Sequence, residues 1–315
     1  MEHQVAAQQL AERAGLLETA EAARRFAAFV RLDSYVYPHF SPEALLAAGA
    51  FNHWLYFLDD QYDENPAFAD RQEAVRELMR RAFEVMLWGR TRDDATAFER
   101  FTLQVRRLLE GQAFDGWMPG FLQHVHAYMF EGSMRSITVW RSGRTPGLEE
   151  YYRLRALDSG TYTVLHCSML ACGQALPDEV LEHPMVRELL LHANLHVSFA
   201  NDLFSYQKEV LRHGYPCNLV QVVRHEHRLS QDDALTQSID LVNEELRRFV
   251  ELRDGLPSFG AETDASLSRW IEGMQTWMRG NVDYSLRSRR FNAPDSPFPE
   301  LRHTRTISME IPLIG

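Results

Sequence analysis

Asn201-Asp202-Leu203-Phe204-Ser205-Tyr206-Gln207-Lys208-Glu209 closes a largely apolar stretch that begins near Leu189. Read as a helix, it places Asn201, Ser205 and Glu209 at i, i+4 and i+8. At about 100° per residue, these three side chains form one stripe. An amide oxygen, a hydroxyl and a carboxylate make an all-oxygen ligand set. Such a set suits a hard cation, Mg²⁺ or Mn²⁺, and not zinc or copper. Hard cations held by few protein oxygens complete their shells with water and substrate phosphates. The plain alternative is three polar residues on a solvated face. The apolar run before Asn201, with Phe204 and Tyr206 interleaved, favours a polar stripe that lines a cavity. Lys208 adds a cation within reach of a phosphate.

Upstream, Phe57-Leu58-Asp59-Asp60-Gln61-Tyr62-Asp63-Glu64 ends another apolar helical run. Asp59 and Asp63 are i and i+4 and share a face. Acids crowded at a helix C-terminus repel one another and oppose the helix dipole. A local rule broken so openly points to compensation by bound cations, over the plain alternative of a solvated acidic helix end.

Composition sets the frame around these motifs. The 315 residues are 45% hydrophobic and 24% charged, with a net charge of −11. Without a basic block, nucleic acid and anionic membranes are poor partners. Three cysteines, Cys167, Cys172 and Cys217, without zinc-finger spacing point to buried thiols in a reducing compartment. The segment 1–19 lacks a signal peptide's basic start and apolar run, and no stretch reaches transmembrane length. The expectation is a soluble cytoplasmic protein.

Helical periodicity runs through nearly every long segment, and alternating strand patterns are almost absent. Ser41-Pro42 opens a helix to about Tyr62, and Asn65-Pro66 breaks the chain. Further helices are expected over 71–87, 95–109, 121–140, 148–171, 179–212, 230–253 and 265–287. Trp117-Met118-Pro119-Gly120 reads as a connector, and Gly160 as a break within a helix. The expected architecture is all-α: one domain over 1–315, a bundle around a central cavity, with 1–24 and the Pro-rich tail 292–315 peripheral.

Together the two motifs resemble those of class I terpene synthases of the bacterial type. Asp59, Asp60 and Asp63 match DDxxD. Asn201, Asp202, Ser205 and Glu209 match NDxxSxxxE, with Lys208 where the family often has lysine. The resemblance implies a class I terpenoid synthase fold around a central active-site cavity. It also implies three Mg²⁺ ions (Mn²⁺ as the alternative) held by Asp59, Asp63, Asn201, Ser205 and Glu209. It places Arg155 as the diphosphate sensor, Asp158 as the linker, and the carbonyl of Ser159 or Gly160 as the effector. Arg155, Lys208 and Arg290 become the diphosphate donors. Phe291 departs from the family's Arg-Tyr pair and lacks the phenol that bonds near the diphosphate.

The implied reaction is ionisation of a linear isoprenyl diphosphate, farnesyl or geranylgeranyl, and its cyclisation to a sesquiterpene or diterpene. The family's frequent pairing makes a homodimer a further expectation. Tyr56, three residues before Asp59, and Tyr284 on the last helix are the candidate cavity aromatics. Asn52 is a polar group on that same wall, suited to steering water or a cation. Two other readings are a chain-elongating prenyltransferase, against which the Asn/Ser/Glu second motif argues, and an inactive isoprenoid-binding helical protein. His192 and His196 at i, i+4 read as packing or cavity wall, and His225-Glu226-His227 as a solvated turn.

Overall fold

The computed structural model describes residues 2–19, 23, 26, 31–62, 72–288 and 291. Asn65-Pro66, Asp63, Arg290 and the tail after Phe291 lie outside them. Among the described residues every regular element is helical. In chain order they are α1 (Glu2–Ala14), α2 (Leu32–Val36), α3 (Pro42–Tyr62), α4 (Gln72–Trp88), α5 (Ala97–Gln112), α6 (Trp117–His126) and α7 (Met134–Arg141). Then follow α8 (Leu148–Asp158), α9 (Thr161–Ser168), α10 (Pro184–Tyr206), α11 (Leu219–His227), α12 (Gln231–Asp254) and α13 (Ala261–Arg287). No helix among them is long and apolar enough to cross a membrane.

The helix starts follow local chemistry. Ser41 Oγ accepts the Ala44 N–H at 3.2 Å, with Pro42 in the first turn. Thr96 and Glu99 form a capping box at α5, which satisfies two otherwise orphaned backbone donors. Ser230 caps α12 through the Asp233 N–H. Two expectations are corrected. Trp117-Met118-Pro119-Gly120 is the first turn of α6 and no connector. Proline lacks an N–H that the first turn does not need, so it is tolerated there. The helix expected from 179 begins afresh at Pro184, after a short turn over Asp178–Leu181. Proline excludes the preceding residue from helical geometry.

A large aromatic core joins α3, α5, α6 and α9. Phe51 stacks on Trp54 and meets Phe121 edge-on, and Trp54 Nε1 donates to Thr102 Oγ1 at 2.8 Å. Ala47, Ala48 and Ala50 are buried in this core and are absent from the cavity lining. A second core, built on Tyr151, Phe199, Leu219 and Val222, ties α8 and α10 to α11. All three cysteines are buried and none is in a disulfide. Burial pushes the thiols of Cys167 and Cys172 up, the latter to about 11, away from reactive thiolate. His225, Glu226 and His227 are exposed. His192 Nδ1 meets Glu245 Oε2 at 2.6 Å, and His196 is buried as packing.

Two helices carry widened π turns. Ala127–Ser133 joins α6 to α7, and Gln207–Arg212 extends α10. Such turns arise where helix geometry is bent to a local need, often at functional sites. The first presents Gly132 to the backbone at the end of α8. A Cβ on Gly132 would stand 2.5 Å from both the Asp158 nitrogen and the Leu157 carbonyl carbon. Gly132→Ala is therefore expected to lower unfolding free energy by about 1–3 kcal/mol through overpacking, read by urea titration. Burial also lowers the His196 pKa to about 4. The unfolded chain then binds more protons than the folded one from about pH 6.5 down to about 4. The native His196 thus costs stability as pH falls through that window. The stability of the wild type relative to His196→Gln should decline with falling pH there, and a flat difference would contradict this.

Candidate active site

One cavity, about 110 Å³, opens between the two acidic motifs. From α3 come Asn52, Leu55, Tyr56 and Asp59, the i−7, i−4, i−3 and i set that helical spacing predicts. The opposite wall is α10 and its π extension, with Val197, Ser198, Asn201, Ser205 and Glu209. Between them stand Tyr128, the stretch from Arg155 to Thr161 and Val164, Trp277 and Asn281 of α13, and Phe291. The polar end thus lies at the C-terminal ends of α3 and α10. The side toward Val164, Val197 and Trp277 is largely apolar.

The second motif keeps its stripe by bending its helix. Four residues of α-helix turn about 40° past a full circle, so in a straight helix the stripe would drift by Glu209. The wider turn starting at Gln207 takes back part of that drift. Ser205 Oγ is buried and has no hydrogen-bond partner among the described residues. Asn201 Oδ1 lies 3.4 Å from Arg155 Nη2, and Glu209 Oε2 accepts from Asn218 Nδ2 at 3.1 Å. Among the described residues no three His, Cys, Asp or Glu side chains form a compact metal cluster. The oxygen donors are instead split between two walls, with Asn201 and Ser205 among them. An orphaned hydroxyl in an all-oxygen set, facing Asp59 across one cavity, fits a hard cation that draws its remaining ligands from phosphate and water.

Arg155, in the last turn of α8, is the hub of the charged network. Its Nη2 lies 2.7 Å from Asp202 Oδ1, and its Nη1 lies 3.0 Å from Asp158 Oδ1. Burial opposes its charge, but Asp202 and Asp158 outweigh that and hold its pKa well above the ordinary guanidinium value. Its Nε is buried and has no hydrogen-bond partner among the described residues. Asp202 also accepts from the Tyr151 hydroxyl and from the Leu219 N–H at 2.6 Å. Burial pushes the Asp158 carboxyl up, with Arg155 and the Ser136 hydroxyl pulling it down and Asp59 adding to the rise. Motif reading names Asp202 as a matched position but gives it no role. One position along a helix puts it about 100° from Asn201, so it faces the second core where Tyr151 waits, four residues before Arg155.

Gly160 breaks α8 from α9 in the left-handed region, at φ +69°. Its carbonyl accepts the Thr163 N–H at 3.0 Å and the Thr163 hydroxyl. Ser159 Oγ accepts the Thr161 N–H at 3.1 Å. The break is thus tied down on both sides, and a shift of the Gly160 carbonyl must open the first turn of α9.

Of the remaining candidates, Tyr56 lines the cavity. Tyr284 does not; it is buried with its ring edge-on to Tyr35 at 6.5 Å. Seven residues beyond Trp277, it shares that face but stands roughly 10 Å further along α13, where α2 covers it. Lys208 is buried at the start of the π turn, outside the cavity lining. Phe291 lines the mouth with its ring 6.2 Å from Phe204, so an apolar wall stands where the family has a phenol. Asp63 and Arg290 lie outside the described residues.

Comparison with known proteins accords with this geometry. Residues 50–248 match the family model described as terpene synthase family 2, C-terminal metal binding. The chain is 31% identical to the (+)-T-muurolol synthase of Roseiflexus castenholzii over 82% of this chain and 79% of that protein. It is 28% identical to the 10-epi-cubebol synthase of Sorangium cellulosum, with 84% of each covered. Among solved structures, the linalool/nerolidol synthase of Streptomyces clavuligerus superposes with a TM-score of 0.80 at 19% identity, over 90% of this chain and 97% of that one. Germacradien-4-ol synthase of Streptomyces citricolor superposes at 0.75 with 23% identity, over 90% and 93%. At such identities the superpositions speak for the fold alone. The family model and the Roseiflexus relative carry the assignment: the chain belongs to the class I terpene synthases, enzymes that use a divalent metal to act on isoprenyl diphosphates.

Proposed function

We propose that the protein binds farnesyl diphosphate with three Mg²⁺ ions and cyclises it to a sesquiterpenoid, releasing diphosphate. The observation that carries this reading is the facing of Asp59 and the Asn201–Ser205–Glu209 stripe across one cavity with an apolar side. The choice of the fifteen-carbon substrate draws on the Roseiflexus relative, whose name specifies (2E,6E)-farnesyl diphosphate. Asp59 and Asp63 would hold ions on one wall, and Asn201, Ser205 and Glu209 on the other. When bound, these ions offset the charge that develops on the leaving diphosphate.

The chain's own groups do the rest. Asp202 and Asp158 hold the two Nη groups of Arg155, which orients the guanidinium and leaves Nε as a donor for a diphosphate oxygen. Lys208 and Arg290 are the further donors in this reading. Leu55, Val164 and Val197 exclude water from the allylic cation, while Tyr56, Tyr128 and Trp277 present π faces to it. The Ser159–Gly160 break is the place where diphosphate binding moves a carbonyl toward the substrate.

Purified protein with Mg²⁺ and farnesyl diphosphate alone is expected to release a cyclic fifteen-carbon product, detected by mass spectrometry of the extract. EDTA should abolish it and added Mg²⁺ restore it. No product from geranyl, farnesyl or geranylgeranyl diphosphate would overturn the reading. A requirement for isopentenyl diphosphate would favour chain elongation instead. Asp202→Asn leaves the buried Arg155 guanidinium with Asp158 as its remaining ion-pair partner among the described residues. It should cost about 3–5 kcal/mol of stability and raise KM for the diphosphate substrate, read by denaturant titration and steady-state kinetics. A variant as stable as the wild type with unchanged KM would show that Asp202 does not hold Arg155.

A further inference from the structure

On the cavity wall away from the diphosphate end, one buried polar group is left without a full set of partners among the described residues. Asn52 lies two helical turns before Asp59 on α3, is 2% exposed and lines the cavity. Its Nδ2 donates to Asp33 Oδ1 at 2.7 Å, while its Oδ1 has no hydrogen-bond partner among the described residues. That bond turns the amide nitrogen toward Asp33 and leaves the amide oxygen as a buried acceptor without a partner among the described residues. Thr161, Ser198 and Asn281, also on this wall, bond within the protein. Thr161 Oγ1 and Ser198 Oγ share a bond at 3.3 Å, Ser198 Oγ donates to the Asn194 carbonyl at 2.7 Å, and Asn281 Nδ2 donates to the Val197 carbonyl at 3.1 Å.

The backing of this amide is costly as well. Asp33 on α2 is 1% exposed, and burial pushes its carboxyl up to about 7. Room for it depends on glycine at position 49, where a Cβ would stand 2.5 Å from Asp33 Oδ2. A buried carboxylate, the gap that admits it and an amide with an unpaired oxygen are each unfavourable for stability alone. Their joint effect is to hold one acceptor in a set orientation where the hydrocarbon chain would lie.

We propose that Asn52, positioned by Asp33, holds a water molecule against the reacting hydrocarbon, and that the enzyme's product is a terpenoid alcohol whose oxygen comes from that water. The proposal rests on the cyclisation reading above. The water donates one hydrogen to Asn52 Oδ1, which turns a lone pair toward the cavity. That lone pair forms the C–O bond to the carbocation, and the surplus proton passes to the diphosphate already released. Water and the isoprenyl diphosphate are consumed, alcohol and protonated diphosphate are formed, and nothing is oxidised or reduced. Asn52 is the group that touches the reactant water, and Asp33 is a positioning residue.

The test is turnover of farnesyl diphosphate with Mg²⁺ in ¹⁸O-water, with diphosphate release followed in parallel and products resolved by mass spectrometry. The expected main product is an alcohol carrying the heavy isotope. In Asn52→Leu the alcohol-to-hydrocarbon ratio should fall about tenfold, the worth of one hydrogen bond. The ratio is read among products formed, so a slower variant still reports. If the stranded Asp33 prevents folding, the double variant Asp33→Leu/Asn52→Leu removes both partners and gives the same reading. A hydrocarbon as the wild-type main product, alongside normal diphosphate release, overturns the proposal and leaves cyclisation standing. An unchanged ratio in the folded variants also overturns it. Absence of diphosphate release removes the reading beneath the proposal, and the proposal with it.

Discussion

The Arg155–Asp202 ion pair is the interaction on which the rest of this molecule hangs. Two charges taken out of water repay their desolvation only when their remaining donors and acceptors are met. Meeting them has recruited most of the neighbourhood. Tyr151 of α8 and the first N–H of α11 bond the carboxylate. Asn218 caps α11, and its Nδ2 bridges the Asp202 carbonyl and Glu209. Asp158 takes the other side of the guanidinium and is itself held by Ser136. One buried pair therefore sets the angle between α8 and α10, the start of α11 and the position of Glu209.

The cavity divides its labour along its length. At the rim, carboxylates accumulate at helix C-termini, where the backbone dipole also disfavours them. Such a rim is poorly compensated by protein alone and suits cations. Away from the rim the needs reverse, because a carbocation must not meet bulk solvent. Apolar and aromatic side chains dominate there, and the few polar groups are mostly tied to neighbouring backbone. The deep side of the site thus selects against chance water while keeping one acceptor in place.

Much of this was legible in the sequence. The periodicity of α3 and α10, the Ser41 and Ser230 starts and the break at Gly160 follow from local rules, and the spacing around Asp59 put Asn52, Leu55 and Tyr56 on one wall. What stayed hidden depends on contacts between distant segments. Nothing near Gly132 announces that its missing Cβ makes room for the backbone of Asp158. Nothing near Asp33 shows that it stands behind Asn52. The π turns escaped because a widened turn answers to where side chains must end up, which single-helix periodicity does not encode. Tyr284 stands where the resemblance implies a cavity aromatic, but its ring packs edge-on to Tyr35 from a distant segment.

The buried thiols carry a practical consequence for labelling this protein. All three cysteines are packed in the interior, and they are the whole complement of the chain. A maleimide probe would find little to attack in the native protein. A single cysteine introduced on the exposed surface, for example at Trp88 or Leu286, would therefore be the one readily labelled position, with no need to remove native thiols first. The fold thus comes ready for site-specific fluorescence or spin labelling.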